Sequence, residues 1–201
     1  GMGPVIRKED LELLYEQLDT LKDDDVLVLA GSIPSGMPQS IYRDIMSRLQ
    51  SKRIKIAVDA TKDLLMNVLA YHPFVIKPNN HELSEIFDIM IDSKEKAVVY
   101  AKELQKRGAQ NVIVSMAGEG AVFVGSDGSV FTSEAPHGVV KNSVGAGDSM
   151  VAGFLAGYLA KGDYAEAFKM GLCTGSASAF SDQLATREEV EQVRRSHIFD
   201  F

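Results

Sequence analysis

The sequence has a single cysteine, no tryptophan and six prolines in 201 residues. One cysteine cannot close an internal disulfide, so the chain is expected to fold without one, in a reducing cytoplasm. Cations are the minority charge: 21 Lys and Arg stand against 28 Asp and Glu, a formal net charge of −7. A nucleic-acid surface needs an excess of cations to displace counterions, so no nucleic-acid partner is expected. Long apolar runs are missing as well. The longest, Met150–Ala160, carries two glycines and is far short of the ~20 residues that cross a bilayer, so no membrane partner is expected either. The first residues lack the charged-then-apolar pattern of a signal peptide. They open on Gly1-Met2, which reads as the remnant of a removed tag and leaves 3–201 as the expected folded unit. What is present, 45% apolar and 24% charged residues, is ordinary for a globular protein. At about 150 residues per domain the length argues for one domain.

Helical and strand patterns alternate along the chain, with no internal repeat. Leu11, Leu14, Tyr15, Leu18 and Leu21 recur at helical spacing, and Val26–Ala30 reads as a strand covered on both faces. Gly31–Pro38 is a loop by composition. A helix carrying Ile41, Ile45, Met46 and Leu49 leads to strand Ile54–Val58, which ends at Asp59; a helix with Leu64, Leu65, Val68 and Leu69 leads to strand Phe74–Lys77. A helix opening at Pro78-Asn79-Asn80 runs through Met90, a second covers Lys94–Arg107, and strand Asn111–Ser115 follows. Such alternation predicts an α/β fold: a mostly parallel sheet with helices on both faces. Ala121–Gly125 and Ser129–Phe131 read as an antiparallel hairpin across Ser126-Asp127-Gly128. Helices Ala146–Lys161, Tyr164–Phe180 and Thr186–Arg194 complete the chain. Ligands of such sheets bind beyond the carboxyl ends of the strands, here the loops at Gly31, Asp59, Pro78 and Met116.

The sharpest local feature is Asn142-Ser143-Val144-Gly145-Ala146-Gly147-Asp148 ahead of the apolar helix. Small residues at the start of a helix let unpaired amides and the positive end of the helix dipole meet an anion. Asp148 in that first turn could take the proton of an attacking hydroxyl during phosphoryl transfer; the plainer alternative is that it caps the helix. A dinucleotide fingerprint would need glycine where Met150 stands, and no Gly-x-x-x-x-Gly-Lys-Ser/Thr occurs, which excludes a P-loop. In Lys77-Pro78-Asn79-Asn80-His81-Glu82, Asn79 and Glu82 share a helix face, with donor chemistry that suits Mg²⁺ directly or through water. Lys77 could meet a phosphate as a point charge. The alternative for Asn79 and Glu82 is a capping box. Ser115-Met116-Ala117-Gly118-Glu119-Gly120 could wrap a nucleotide's ribose and phosphates, or be a plain turn. Gly31-Ser32-Ile33-Pro34-Ser35-Gly36 is a candidate substrate loop. Cys173 reads as core, and Gly153 and Gly157 as sites of close helix packing. The four histidines show no metal-ligand spacing.

The order of these motifs resembles the phosphofructokinase-B/ribokinase family of sugar kinases. Asn142–Leu155 is similar to that family's C-terminal signature, Lys77–Glu82 to its Asn-x-x-Glu magnesium motif and Val114–Ala121 to its nucleotide loop. The Gly31–Gly36 and Asn142–Met150 segments are most similar to bacterial 1-phosphofructokinases, with tagatose-6-phosphate kinases as neighbours. The resemblance implies a ribokinase-like three-layer α/β/α fold. It also implies ATP and Mg²⁺, with fructose 1-phosphate phosphorylated at its C6 hydroxyl. Asp148 would be the catalytic base and Gly145, Ala146 and Gly147 the anion hole. Ser115, Met116, Ala117, Gly118, Glu119 and Gly120, with Gly147, would lie along the nucleotide. Asn79 and Glu82 would act on Mg²⁺, Lys77 would touch the nucleotide, and Ser32 would face the sugar. Alternatives are a tagatose-6-phosphate or other phosphosugar kinase, and a non-catalytic nucleotide-binding module. Family members carry a further N-terminal segment with sugar contacts and a β-lid that often builds a homodimer. The chain resembles the remaining two-thirds, so alone it is expected to bind ATP weakly and to phosphorylate poorly or not at all. Ala117 stands where many relatives place glycine, which is expected to shift that loop slightly.

Overall fold

The computed structural model describes residues 5–34 and 36–201. Gly1-Met2, expected to be a tag remnant, and Ser35 of the candidate substrate loop lie outside the described residues. Six strands form one sheet in chain order: β1 (Val26–Ala30), β2 (Lys55–Asp59), β3 (Val75–Ile76), β4 (Asn111–Ser115), β5 (Ala121–Val124) and β6 (Val130–Ser133). β1 to β4 run parallel, and β5 and β6 are antiparallel additions. The helices are α1 (Lys8–Asp19), α2 (Ile41–Leu49), α3 (Lys62–Met66), α4 (Asn80–Phe87), α5 (Lys94–Lys106), α6 (Ala146–Lys161), α7 (Tyr164–Phe180) and α8 (Arg187–Ser196).

Consecutive strand order with right-handed crossovers places every connecting helix between β1 and β4 on one face of the sheet. Strand periodicity shows the result. Ile56, Val58, Val112, Val114, Val122 and Val124 enter a core with Ile45, Leu49, Leu83 and Leu104 of the crossover helices. The intervening Ala57, Ile113, Ala121 and Phe123 enter a second core with Phe154 and Leu155 of α6 and Phe168 and Leu172 of α7. Phe123 anchors that side, its ring 5.3–5.9 Å from those of Phe154, Tyr164 and Phe168. The three-layer α/β/α arrangement is therefore the one the residues predict.

Four local expectations need correction. Among the described residues β1 is not covered on both faces: it stands at the edge of the described sheet, and Val28 is 46% exposed. The helix after Pro78 stops at Phe87 because Asp88 turns left-handed (φ 52°), well before Met90. Leu64–Leu69 is not one helix but α3 followed by a short 3₁₀ turn, Leu69–Tyr71. The second hairpin strand begins later, at Val130, because Asp127 holds the turn by accepting from the Ser129 amide and hydroxyl. Gly153 does mark close packing: a Cβ there would lie 2.5 Å from Thr174 Oγ1 and 2.7 Å from the Met170 carbonyl of α7.

Candidate active site

The carboxyl ends of β2, β3 and β4 and the N-termini of α4 and α6 converge on one edge of the sheet. The turn into α6 is set by its own sequence. Asn142 accepts the Val144 N–H at 3.0 Å, and the Ser143 carbonyl accepts the Ala146 N–H at 3.2 Å. Gly145 then adopts φ +81° as N-cap, and its carbonyl accepts the Ser149 N–H. That conformation favours a residue without Cβ. Among the described residues, no protein acceptor meets the Gly145, Gly147 or Asp148 amide. They are the free donors that an anion would use. The Ala146 amide is not one of them, because its turn consumes it, which corrects its place in the expected anion hole. Among the described residues the Asp148 carboxylate accepts no hydrogen bond from the first turn of α6, which does not support the capping alternative. Its side chain is exposed at the edge and makes no ion pair among the described residues.

Behind this turn lies an ion pair that sequence reasoning left unassigned. Lys77 Nζ is 3.3 Å from Asp59 Oδ2, with side chains only 7% and 17% exposed. A Cβ on Gly147 would sit 3.1 Å from that same ammonium, so the glycine lets the buried cation come up against the amide turn. Burial pushes the Asp59 carboxyl above the usual carboxylate range; Lys77 opposes this, while Asp148 and Glu82 push it further up. The four groups thus form one electrostatic cluster. The signal for Asp59 was an acid ending the buried strand Ile56-Ala57-Val58 at the ligand-binding edge of the sheet.

Asn79 and Glu82 form the capping box: Glu82 N–H donates to Asn79 Oδ1 and Asn79 N–H to Glu82 Oε2, both at 2.8 Å. The plain reading of the pair is correct locally, and it fixes where the carboxylate stands. No group of three acidic, histidine or cysteine side chains among the described residues is close enough to clasp a metal. An ion near Asp59, Glu82 and Asp148 fits only as one that keeps its waters and rides on phosphate oxygens, which is how Mg²⁺ binds.

The Ser115–Gly120 segment divides. Ser115, Ala117, Gly118 and Gly120 line a cavity of about 630 Å³ together with Ala146 and Gly147. Met116 does not: its side chain is 3% exposed in the core, and its amide donates to the Gly120 carbonyl. Glu119 is exposed but outside the cavity lining. Ala117 takes φ +49°, a left-handed backbone that glycine adopts more readily than alanine. The opposite walls, Glu134–Gly138 and the Gly175–Phe180 end of α7, were not anticipated. An irregular loop has no periodicity to betray it. Ser32 lies exposed in the loop after β1, next to Gly31, whose N–H bonds the Asp59 carbonyl at 3.0 Å. Cys173 is core, as expected.

This architecture agrees with known proteins. A family model described as pfkB family carbohydrate kinase matches residues 3–189. The chain belongs to that family. It is 44% identical over 193 residues to a 1-phosphofructokinase of Bacillus subtilis, covering 96% of this chain and 63% of that protein. It is 29% identical to a D-tagatose-1-phosphate kinase of Bacillus licheniformis, covering 94% and 62%. A provisionally named phosphofructokinase from Staphylococcus aureus superimposes with a TM-score of 0.91 at 36% identity, covering 96% of this chain and 63% of that structure. The chain thus spans a little under two-thirds of these relatives' length. The tagatose relative is named for the 1-phosphate, not for the 6-phosphate that the sequence suggested.

Proposed function

We propose that the protein carrying this chain transfers the γ-phosphoryl group of ATP to a hydroxyl of a phosphosugar, with fructose 1-phosphate, accepting at C6, as the preferred substrate. The observation that supports this most is the pairing of free amides at the start of α6 with an uncapped carboxylate in the same turn. The nucleotide lies in the 630 Å³ cavity, along Ser115, Ala117, Gly118 and Gly120, with its phosphates running toward Gly147. The Gly145, Gly147 and Asp148 amides, the helix dipole and the Lys77 ammonium meet the charge that grows on the transferring group. Asp148 accepts the proton as the sugar oxygen bonds to phosphorus and ADP leaves. Glu82, Asn79 and Asp59 would hold a hydrated Mg²⁺, which would supply neutralisation of the phosphate charge. Ser32, in the loop after β1, faces the sugar. This chain alone is expected to bind ATP weakly and turn over poorly, since a third of the relatives' length lies outside it.

A panel of fructose 1-phosphate, D-tagatose 1-phosphate, tagatose 6-phosphate, fructose 6-phosphate and ribose, assayed on the full-length protein with ATP and Mg²⁺, tests the assignment. The highest kcat/KM is expected for fructose 1-phosphate. Preference for an unphosphorylated sugar, or no ATP consumption with any of them, would contradict it.

A further inference from the structure

The last turn of α7 holds the anion-binding turn from both sides. Before the turn, the Lys141 and Asn142 amides both donate to the Ala179 carbonyl, at 2.8 and 3.2 Å. After the turn, the buried Ser178 hydroxyl donates to Ser149 Oγ at 2.9 Å, and Ser149 directly follows Asp148. The same Ser178 oxygen accepts the Ala185 amide at 3.1 Å. That bond draws in the loop that seats Leu184 against Gly145, where Leu184 Cδ2 would be 2.9 Å from a Cβ. Ser178 is 3% exposed and Ser149 8%. A lone hydroxyl pair buried between two helices costs desolvation unless each bond is made, so it adds orientation rather than much net stability.

We infer that Ser178 is a positioning residue for phosphoryl transfer: through Ser149 and Ala185 it fixes the Gly145–Asp148 turn relative to the transferring phosphate. The inference rests on the phosphoryl-transfer reading. Displacing a reacting group by about 1 Å can cost up to ~10²-fold in rate, so loss of this tie is expected in kcat rather than in binding.

The test measures kcat, both KM values and thermal stability of Ser178→Ala in the full-length protein, with Ser181→Ala as control. Ser181 sits at the same end of α7 and also makes a buried bond, to the Ala177 carbonyl at 2.9 Å, and among the described residues no hydrogen bond links its side chain to the turn. Ser178→Ala is expected to lower kcat about tenfold, a drop of about 1.4 kcal/mol in transition-state stabilisation, with both KM values within about twofold. Ser181→Ala should keep kcat while losing similar stability. Ser178→Cys, close in size and a weaker donor, should fall between wild type and Ser178→Ala, and it decides the matter if the alanine variant does not fold. Unchanged kcat in Ser178→Ala and Ser178→Cys, or equal kcat losses in the Ser178 and Ser181 variants, would overturn the inference. A parallel Asp148→Asn variant separates the two ideas. If it keeps wild-type kcat while Ser178→Ala does not, the assignment of the base fails and the positioning of the amides stands.

Discussion

Gly147 is the residue at which the fold's needs and the site's needs separate most cleanly. A methyl group there is compatible with the helix, and alanine is the better helix former by about 1 kcal/mol. The same methyl would press to 3.1 Å of the Lys77 ammonium, and a lysine end moves easily. Gly147→Ala is therefore expected to keep or raise the melting temperature while raising the KM for ATP about tenfold, the size of one charge-assisted hydrogen bond. A parallel loss of stability and binding would show that the glycine serves packing instead. At this scale much of the site was legible. Asp148 and its flanking glycines could be read because small residues before an apolar helix are uncommon and have a physical reason. Lys77 was visible only as a charge at a strand end. Its partner Asp59 lies eighteen positions earlier, and only the parallel pairing of β2 with β3 brings them together. Met116 was misjudged because a loop motif does not say which of its side chains turns inward.

Among the elements, α6 and α7 carry the site, and their close approach sets its geometry. Gly153→Ala would force a methyl to within 2.5 Å of Thr174 Oγ1 and 2.7 Å of a backbone carbonyl. Overpacking of this kind costs typically 1–3 kcal/mol, which outweighs the ~1 kcal/mol gained in helix propensity. Thermal unfolding should show a net loss; a stabilised variant would mean the helices lie further apart than described. Helix positions were readable from periodicity because apolar residues repeat at three and four. Burial by neighbours was not. Val26–Ala30 has the composition of an interior strand, yet β1 is the sheet edge, and strand order is a non-local property. Helix ends were misplaced where one residue, Asp88, turned left-handed, a conformation that Asp and Asn tolerate better than other non-glycine residues but that sequence alone does not announce.

For the molecule as a whole, the cleft is a product of chain order: the parallel strands end together, and the two late helices return to cover the other face and bring the Gly145–Asp148 turn to that edge. Cys173 reports on the integrity of this arrangement. It lies on α7, fully buried in a cluster with Val190 and Val193 of α8, and burial pushes its thiol up to about 11. A thiol reagent at pH 8 should leave it untouched until α8 parts from α7, so its labelling should track global unfolding in denaturant. Rapid labelling in native buffer would show that α8 opens independently. The alternation of strand and helix patterns foresaw this fold class, and the apolar neighbours of Cys173 its burial, but not the winding of β1 to β4 in strict succession.

The central claim is that an amide turn and one carboxylate at the start of α6 perform phosphoryl transfer together. The direct measurement is kcat for Asp148→Asn in the full-length protein, with ATP and fructose 1-phosphate saturating and ATP affinity measured separately. A fall of at least ~10²-fold, about 2.7 kcal/mol, with ATP affinity little changed is expected. An unchanged kcat would contradict the account.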